Sequence, residues 1–204
     1  MENVCEPNES QFGFGLFVGA AFAGATFLLD DLEGPLVQGD TVDAGAGNGS
    51  RVAIVADTQE KHSGAQSIRV DYDAVSGGYI WVARGYGLDV KGAAQWSTPP
   101  QDIDWSRYGA LSFYYKGDGA GARIAVDIKD AGGEMLRFMV TDDSKQWKQV
   151  ICSFDAFFPR GDGQPPNAAT NGALDFPIKS FQFEPIAVAK GTLFIDEVDL
   201  EPLN

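Results

Sequence analysis

The 204-residue chain carries 25 Gly, 14 Phe, 6 Tyr and 4 Trp and a net charge of −14, a length that suffices for one sizeable core. So negative a chain is repelled by nucleic acid and by anionic membranes, which leaves neutral polymers and cations as partners. Its two cysteines, Cys5 and Cys152, make no disulfide framework and no CxxC zinc motif, and its one histidine, His62, has no G-x-S-x-G elbow to serve.

In chain order, residues 1–26 read as a leader or a disordered N-terminal arm. Phe12 to Leu29 is uncharged and rich in Gly and Ala, like the apolar part of a secretory leader. Ala21-Phe22-Ala23 or Ala23-Gly24-Ala25 would serve as the small-residue cleavage sequence, although no Lys or Arg precedes Arg51. A secreted or periplasmic location is the expectation. The stretch is too interrupted by glycine for a membrane span.

Residues 27–204 read as a single domain of short strands separated by turns. Leu28 to Leu32 comes first, then a long Gly- and Asp-rich loop from Gly34 to Ser50. Strands follow at Arg51 to Ala56, Ser67 to Tyr72, Tyr79 to Arg84, Tyr108 to Lys116 and Arg123 to Lys129. Others follow at Glu134 to Thr141, Trp147 to Phe154, Lys179 to Glu184 and Thr192 to Val198. A second long loop spans Pro159 to Ala173. About ten short strands at this spacing, without a long amphipathic helix, predict an all-β, two-sheet antiparallel β-sandwich of jelly-roll type.

Alternation sorts the faces. Ile124, Val126 and Ile128 point one way, and Asp127 and Lys129 the other. Leu136, Phe138 and Val140 point inward, leaving Arg137 outside. Ile80 and Val82 oppose Tyr79 and Trp81, and Phe181 and Phe183 oppose Gln182 and Glu184. If these strands share a sheet, its outer face is a platform of planar polar groups and aromatic rings. Sugars need that pairing: C–H faces stack on rings, and hydroxyls need matched donors and acceptors.

The two ends of the domain are acidic. Asp31 and Glu33 alternate with Leu32 in LLDDLEG, which predicts one shared strand face, and Asp196 follows Phe194 and Ile195 in LFIDEVDLEP. Terminal strands that pair would gather these carboxylates. They are then either solvated edge charges or the oxygen ligands of a hard cation.

Several pieces of the chain resemble the family 11 carbohydrate-binding modules, within the galactose-binding-like jelly rolls. They are LDDLEG, HSGAQSIRVDY, DWSRYGALSFYYKG, SKQWKQVICSFDAF, RGDGQPP, GALDF with IKSFQF, and LFIDEVDL, in the family's order from about Leu29 to Leu200. The RGDGQPP run is similar to the family's Arg-x-Asp-aromatic-Gln-Pro-Pro loop. By resemblance, Arg160 and Asp162 bind glucan hydroxyls; on the platform reading Gln182 and Arg137 help them. Gly163 stands where the family has a stacking tyrosine, and Lys179, Gln182 and Pro185 fall on its later polar and aromatic positions.

The resemblance implies non-catalytic binding of a β-glucan-like polysaccharide, and a monomer is expected; Arg160 and Asp162 from the resemblance join Tyr79, Trp81, Asp127, Arg137, Gln182 and Glu184 from the platform as the expected ligand-binding residues. It also implies a structural calcium ion held by Glu33, Asp196 and a carbonyl near Lys61 to Gly64, with Asp31 as an added ligand. A hydrolase using paired carboxylates would have to use Asp127 and Glu184. YGALSFYYKGDG and SGGYIWVAR are also similar to the complex I intermediate-associated domain, which implies a protein-interaction module as the alternative.

Overall fold

The computed structural model describes residues 24–186 and 188–203. Most of the predicted leader or arm therefore lies outside the described residues. The described residues form twelve strands: β1 (Phe27–Asp30), β2 (Asp43–Gly47), β3 (Arg51–Asp57), β4 (Ser67–Ala74), β5 (Tyr79–Gly85), β6 (Tyr108–Lys116), β7 (Arg123–Lys129), β8 (Met135–Thr141), β9 (Lys148–Ser153), β10 (Phe158–Pro159), β11 (Ser180–Ile186) and β12 (Ala189–Pro202).

They form two antiparallel sheets. The first runs β3-β4-β12-β6-β9, with β1 also on β12; the second runs β10-β8-β7-β11-β5-β2. The inward residues expected from alternation meet between them. Ile124, Val126, Ile128, Phe181 and Phe183 of the second sheet are buried, as are Val70, Leu111, Phe113, Ile195 and Leu200 of the first. Phe113 and Phe183 meet edge to face across the sandwich, with ring centroids 4.8 Å apart. Each such side chain contributes about 1.5–3 kcal/mol through burial. Cys152 sits in this core, where burial pushes its thiol pKa up.

A second kind of tie joins the sheets. Arg84 on β5 donates from Nε and from a terminal nitrogen to the two oxygens of Asp30 on β1, both at 2.7 Å, and from its other terminal nitrogen to the Thr41 carbonyl. Both charges are buried; Arg84 is met by Asp30 and the Thr41 carbonyl, and Asp30 also accepts the Leu32 amide at 3.1 Å.

Three local expectations change. The segment from Gly34 to Ser50 is not all loop, because Asp43–Gly47 forms β2 against β5. β1 ends at Asp30, so Asp31 and Glu33 do not share a strand face; Leu32 adopts φ 57 in a turn and is itself buried. The last strand is longer than its apolar run. It continues to Pro202 through a bulge at Glu197, where the register against β6 slips between Asp196 and Val198. The extra residue resets the alternation, so that Ile195 before it and Val198 and Leu200 after it all face the core.

Candidate functional site

The four strands with polar outer faces are neighbours in the second sheet, in the order β8-β7-β11-β5. Their register sets a polar row across it. Asp43 faces Ala83, Ala83 faces Gln182, Gln182 faces Asp127, and Asp127 faces Arg137. The predicted platform is thereby assembled from strands far apart in the chain.

Its polar half is a dense ion network. Arg137 donates to both oxygens of Asp127, at 2.7 and 2.8 Å, and to Glu184. Arg160, carried in by the loop after β10, donates to Asp127 at 2.9 Å and to Asp162 at 3.0 Å, and its third nitrogen lies 3.1 Å from Glu184. Burial works against the Arg137 charge, but Asp127, with Glu184 and Asp162, overcomes it and raises its pKa. Burial pushes the Glu184 carboxyl up, against the pull of both guanidiniums. The hydrogen bond from Arg160 holds Asp162 below its ordinary value, and that side chain remains 71 % exposed.

The aromatic half lies on β5. Tyr79 and Trp81 stack with ring centroids 5.9 Å apart and planes 24° apart, and Tyr79 is 48 % exposed. The Trp81 indole N–H donates to Asp43 Oδ1 at 2.8 Å. Between the halves lies an open cleft of about 510 Å³, lined by Asp43, Tyr79, Trp81, Asp89, Lys129, Arg160, Pro165, Gln182 and Glu184 among others. Lys129 is half-buried there, its pKa lowered by burial, and it donates to the Gly87 carbonyl.

Of the eight expected ligand-binding residues, Tyr79, Trp81, Arg160, Gln182 and Glu184 line this cleft, and Arg137 and Asp162 join the network beside it. Asp127 is a correction. It is 0 % exposed and accepts from Arg137, Arg160 and Gln182, so it anchors the arginines instead of meeting a ligand. Pro185 is a second correction, since it pairs with Ile124 and is buried, off the platform. Lys179 donates to the Ala131 carbonyl. Asp127 and Glu184, the pair a hydrolase would have to use, share the two arginines. Sequence reading missed Asp43 as a site residue. It lies in the segment taken for loop, and only the register of β2 against β5 places it beside Trp81.

The acidic ends converge in part. Glu33 accepts from the Ala65 amide at 2.9 and 3.0 Å, and Asp196 accepts from the His62 and Ser63 amides at 2.8 and 3.1 Å. Both carboxylates therefore address one turn. Asp196 is fully buried, burial raises its pKa, and no cationic side chain pairs with it among the described residues. Asp31 Oδ1 accepts the Glu33 amide at 3.0 Å in a local turn. Among the described residues no three His, Cys, Asp or Glu side chains are grouped to hold a metal, so a cation here would depend on carbonyl oxygens for its remaining ligands.

A larger hollow of about 900 Å³ lies elsewhere, between Trp105, Tyr108, Ile151, Phe154, Phe176 and Leu203. Its only charged walls are Asp155 and Glu201, without the converging donors of the platform cleft. The platform cleft is the better candidate, because specificity for a polar ligand requires placed polar groups.

The family profile of the carbohydrate binding domain (family 11) matches residues 18–202. The chain belongs to this family. Its fold is similar to that of the family 11 carbohydrate-binding module of the cellulosomal cellulase Lic26A-Cel5E of Clostridium thermocellum, at 25% identity and TM-score 0.67, covering 89% of this chain and 96% of that one. It is equally similar to the Clostridium thermocellum family 11 module in complex with a beta-1,3-1,4-mixed-linked tetrasaccharide, at 25% identity and TM-score 0.66, over 87% and 95% of the two chains. A family 30 carbohydrate-binding module of Clostridium thermocellum, at 16% identity and TM-score 0.53 over 83% and 97%, shares the fold alone. No curated protein matches the chain in sequence. The jelly-roll sandwich and membership of a carbohydrate-binding family are thus established together. Among the described residues no helix is long and apolar enough to cross a membrane.

Proposed function

We propose that this family 11 domain binds a β-glucan-like polysaccharide, without catalysis, in the cleft on the outer face of its second sheet. The observation that carries the reading is the stacked Tyr79–Trp81 pair set beside a pre-ordered floor of arginines and carboxylates. The rings take the C–H faces of successive sugars. Asp162, exposed and held ionised, accepts from hydroxyls, as does the Gln182 carbonyl. The nitrogens of Arg160 each face a carboxylate, so its remaining N–H groups are held in one orientation toward the ligand. Such a site is open, and its affinity is weak, roughly micromolar to millimolar.

The reading is supported by the mixed-linked tetrasaccharide bound to the Clostridium thermocellum relative. Calorimetry of the full chain with that tetrasaccharide tests it. Saturable binding, lost in Trp81→Ala and weakened in Arg160→Ala, is expected. A folded protein silent across β-glucans would sink the reading and move a protein partner to first place.

Two further parts belong to the same proposal. The domain acts as a monomer outside the cytoplasm. Calcium strengthens it through Glu33, Asp196 and carbonyls of the 61–64 segment, with Asp31 as an added ligand; among the described residues the buried Asp196 has no cationic partner. Thermal melts with calcium and with EDTA should then differ by several degrees; coincident melts would remove the ion.

A further inference from the structure

β2 has the composition of a loop, Asp-Ala-Gly-Ala-Gly, yet it pairs with β5 over its whole length. Its two glycines are not explained by backbone conformation, because neither has a positive φ. They are explained by what lies above them. A Cβ on Gly45 would come within 2.4 Å of the benzene ring of Trp81, and a Cβ on Gly47 within 2.3 Å of the phenol of Tyr79. The register places Gly45 opposite Trp81 and Gly47 opposite Tyr79, on the same face as Asp43. Both rings therefore lie across the bare backbone of the edge strand. The third residue on that face, Asp43, receives the Trp81 indole N–H at 2.8 Å.

We propose that Asp43, Gly45 and Gly47 form a built seat for the aromatic strip, and that Asp43 is a positioning residue for glycan binding that acts through Trp81. The inference rests on the stacking reading above and adds the device that holds the rings. Without the glycines the rings would be tipped off the strand. Without Asp43 the indole would lose the hydrogen bond that sets its rotation, and its stacking face would no longer be held ready for a sugar. A carbonyl oxygen accepts an N–H as a carboxylate oxygen does, so the role needs an acceptor and not a charge.

The test uses the full chain, with two readouts. The first is the Nε1–H resonance of Trp81 in the unliganded protein, identified by its loss in Trp81→Phe. Asp43→Ala should move it upfield and speed its exchange, and Asp43→Asn should restore it. The second is affinity for the mixed-linked tetrasaccharide. Asp43→Ala should weaken it about tenfold, Asp43→Asn should recover most of it, and Asp43→Ala should add nothing in a Trp81→Phe background. Gly45→Ala should reproduce the loss with a cooperative melt retained.

An unmoved resonance in Asp43→Ala overturns the seat, whether or not the glucan binds. Undiminished affinity in Asp43→Ala overturns its role in binding, as does a full further loss in the Trp81→Phe background, which would mean that Asp43 touches sugar directly. A wild-type protein that binds no tetrasaccharide would instead refute the functional reading, and the seat would stand or fall on the resonance.

Discussion

Asp127 and Asp162 show how differently two acidic residues of one network are employed. Asp127 is fully buried and is the common acceptor of Arg137, Arg160 and Gln182. Asp127→Ala leaves two guanidiniums facing each other with Glu184 as their one remaining shared anion, and a loss of about 3–5 kcal/mol is expected in denaturant titration. Asp162→Ala removes an exposed group, so the melting temperature should hold while glycan affinity falls. The reverse pattern would refute both assignments. Arg84→Ala strands the buried Asp30 carboxylate and should likewise cost about 3–5 kcal/mol. None of these pairings was legible in the chain. Alternation placed Asp127, Arg137 and Glu184 on one face, but which carboxylate each arginine meets depends on register and on the path of the loop that carries Arg160.

At the scale of the element, alternation was a sufficient guide wherever a strand carried its own side chains. β6 and β7 begin and end where their patterns do. β2 was illegible because two of the three residues on its outward face are glycine, and the rings that cover them belong to β5. β12 was read short because the bulge at Glu197 breaks the period on which the reading depended. That strand also carries a pH signature. Burial, then Glu197 and Glu201, push Asp199 from 3.8 up to about 6. A carboxyl raised on folding binds its proton more tightly in the native state, so the native state is favoured below 3.8 and loses that advantage as pH rises through about 6. Asp199→Asn should therefore raise stability at pH 7, by about 1 kcal/mol after allowance for solvent screening, and change little at pH 3.5. Urea titrations at the two pH values decide it, and equal effects at both would refute the assignment.

For the whole molecule, the fold class and the family were legible from recurring segments spread over the chain, because a sandwich repeats its signal in every strand. The site was legible only as a face. Its charge predicts a further property. A neutral glucan releases no counterions on binding, so affinity should change little between low and high salt, despite the net charge of −14. A steep salt dependence by calorimetry would point to a charged ligand.

The position of β12 has a consequence for how the protein is made. This strand, late in the chain, is hydrogen-bonded to β1, β4 and β6, and it joins Phe27 to Leu200. Until it leaves the ribosome, the first sheet has no centre, and β3 with β4 on one side and β6 with β9 on the other have nothing to hold them together. Synthesis from the N-terminus therefore cannot complete the domain piece by piece. The strands before it wait, unclosed, until β12 emerges to join them.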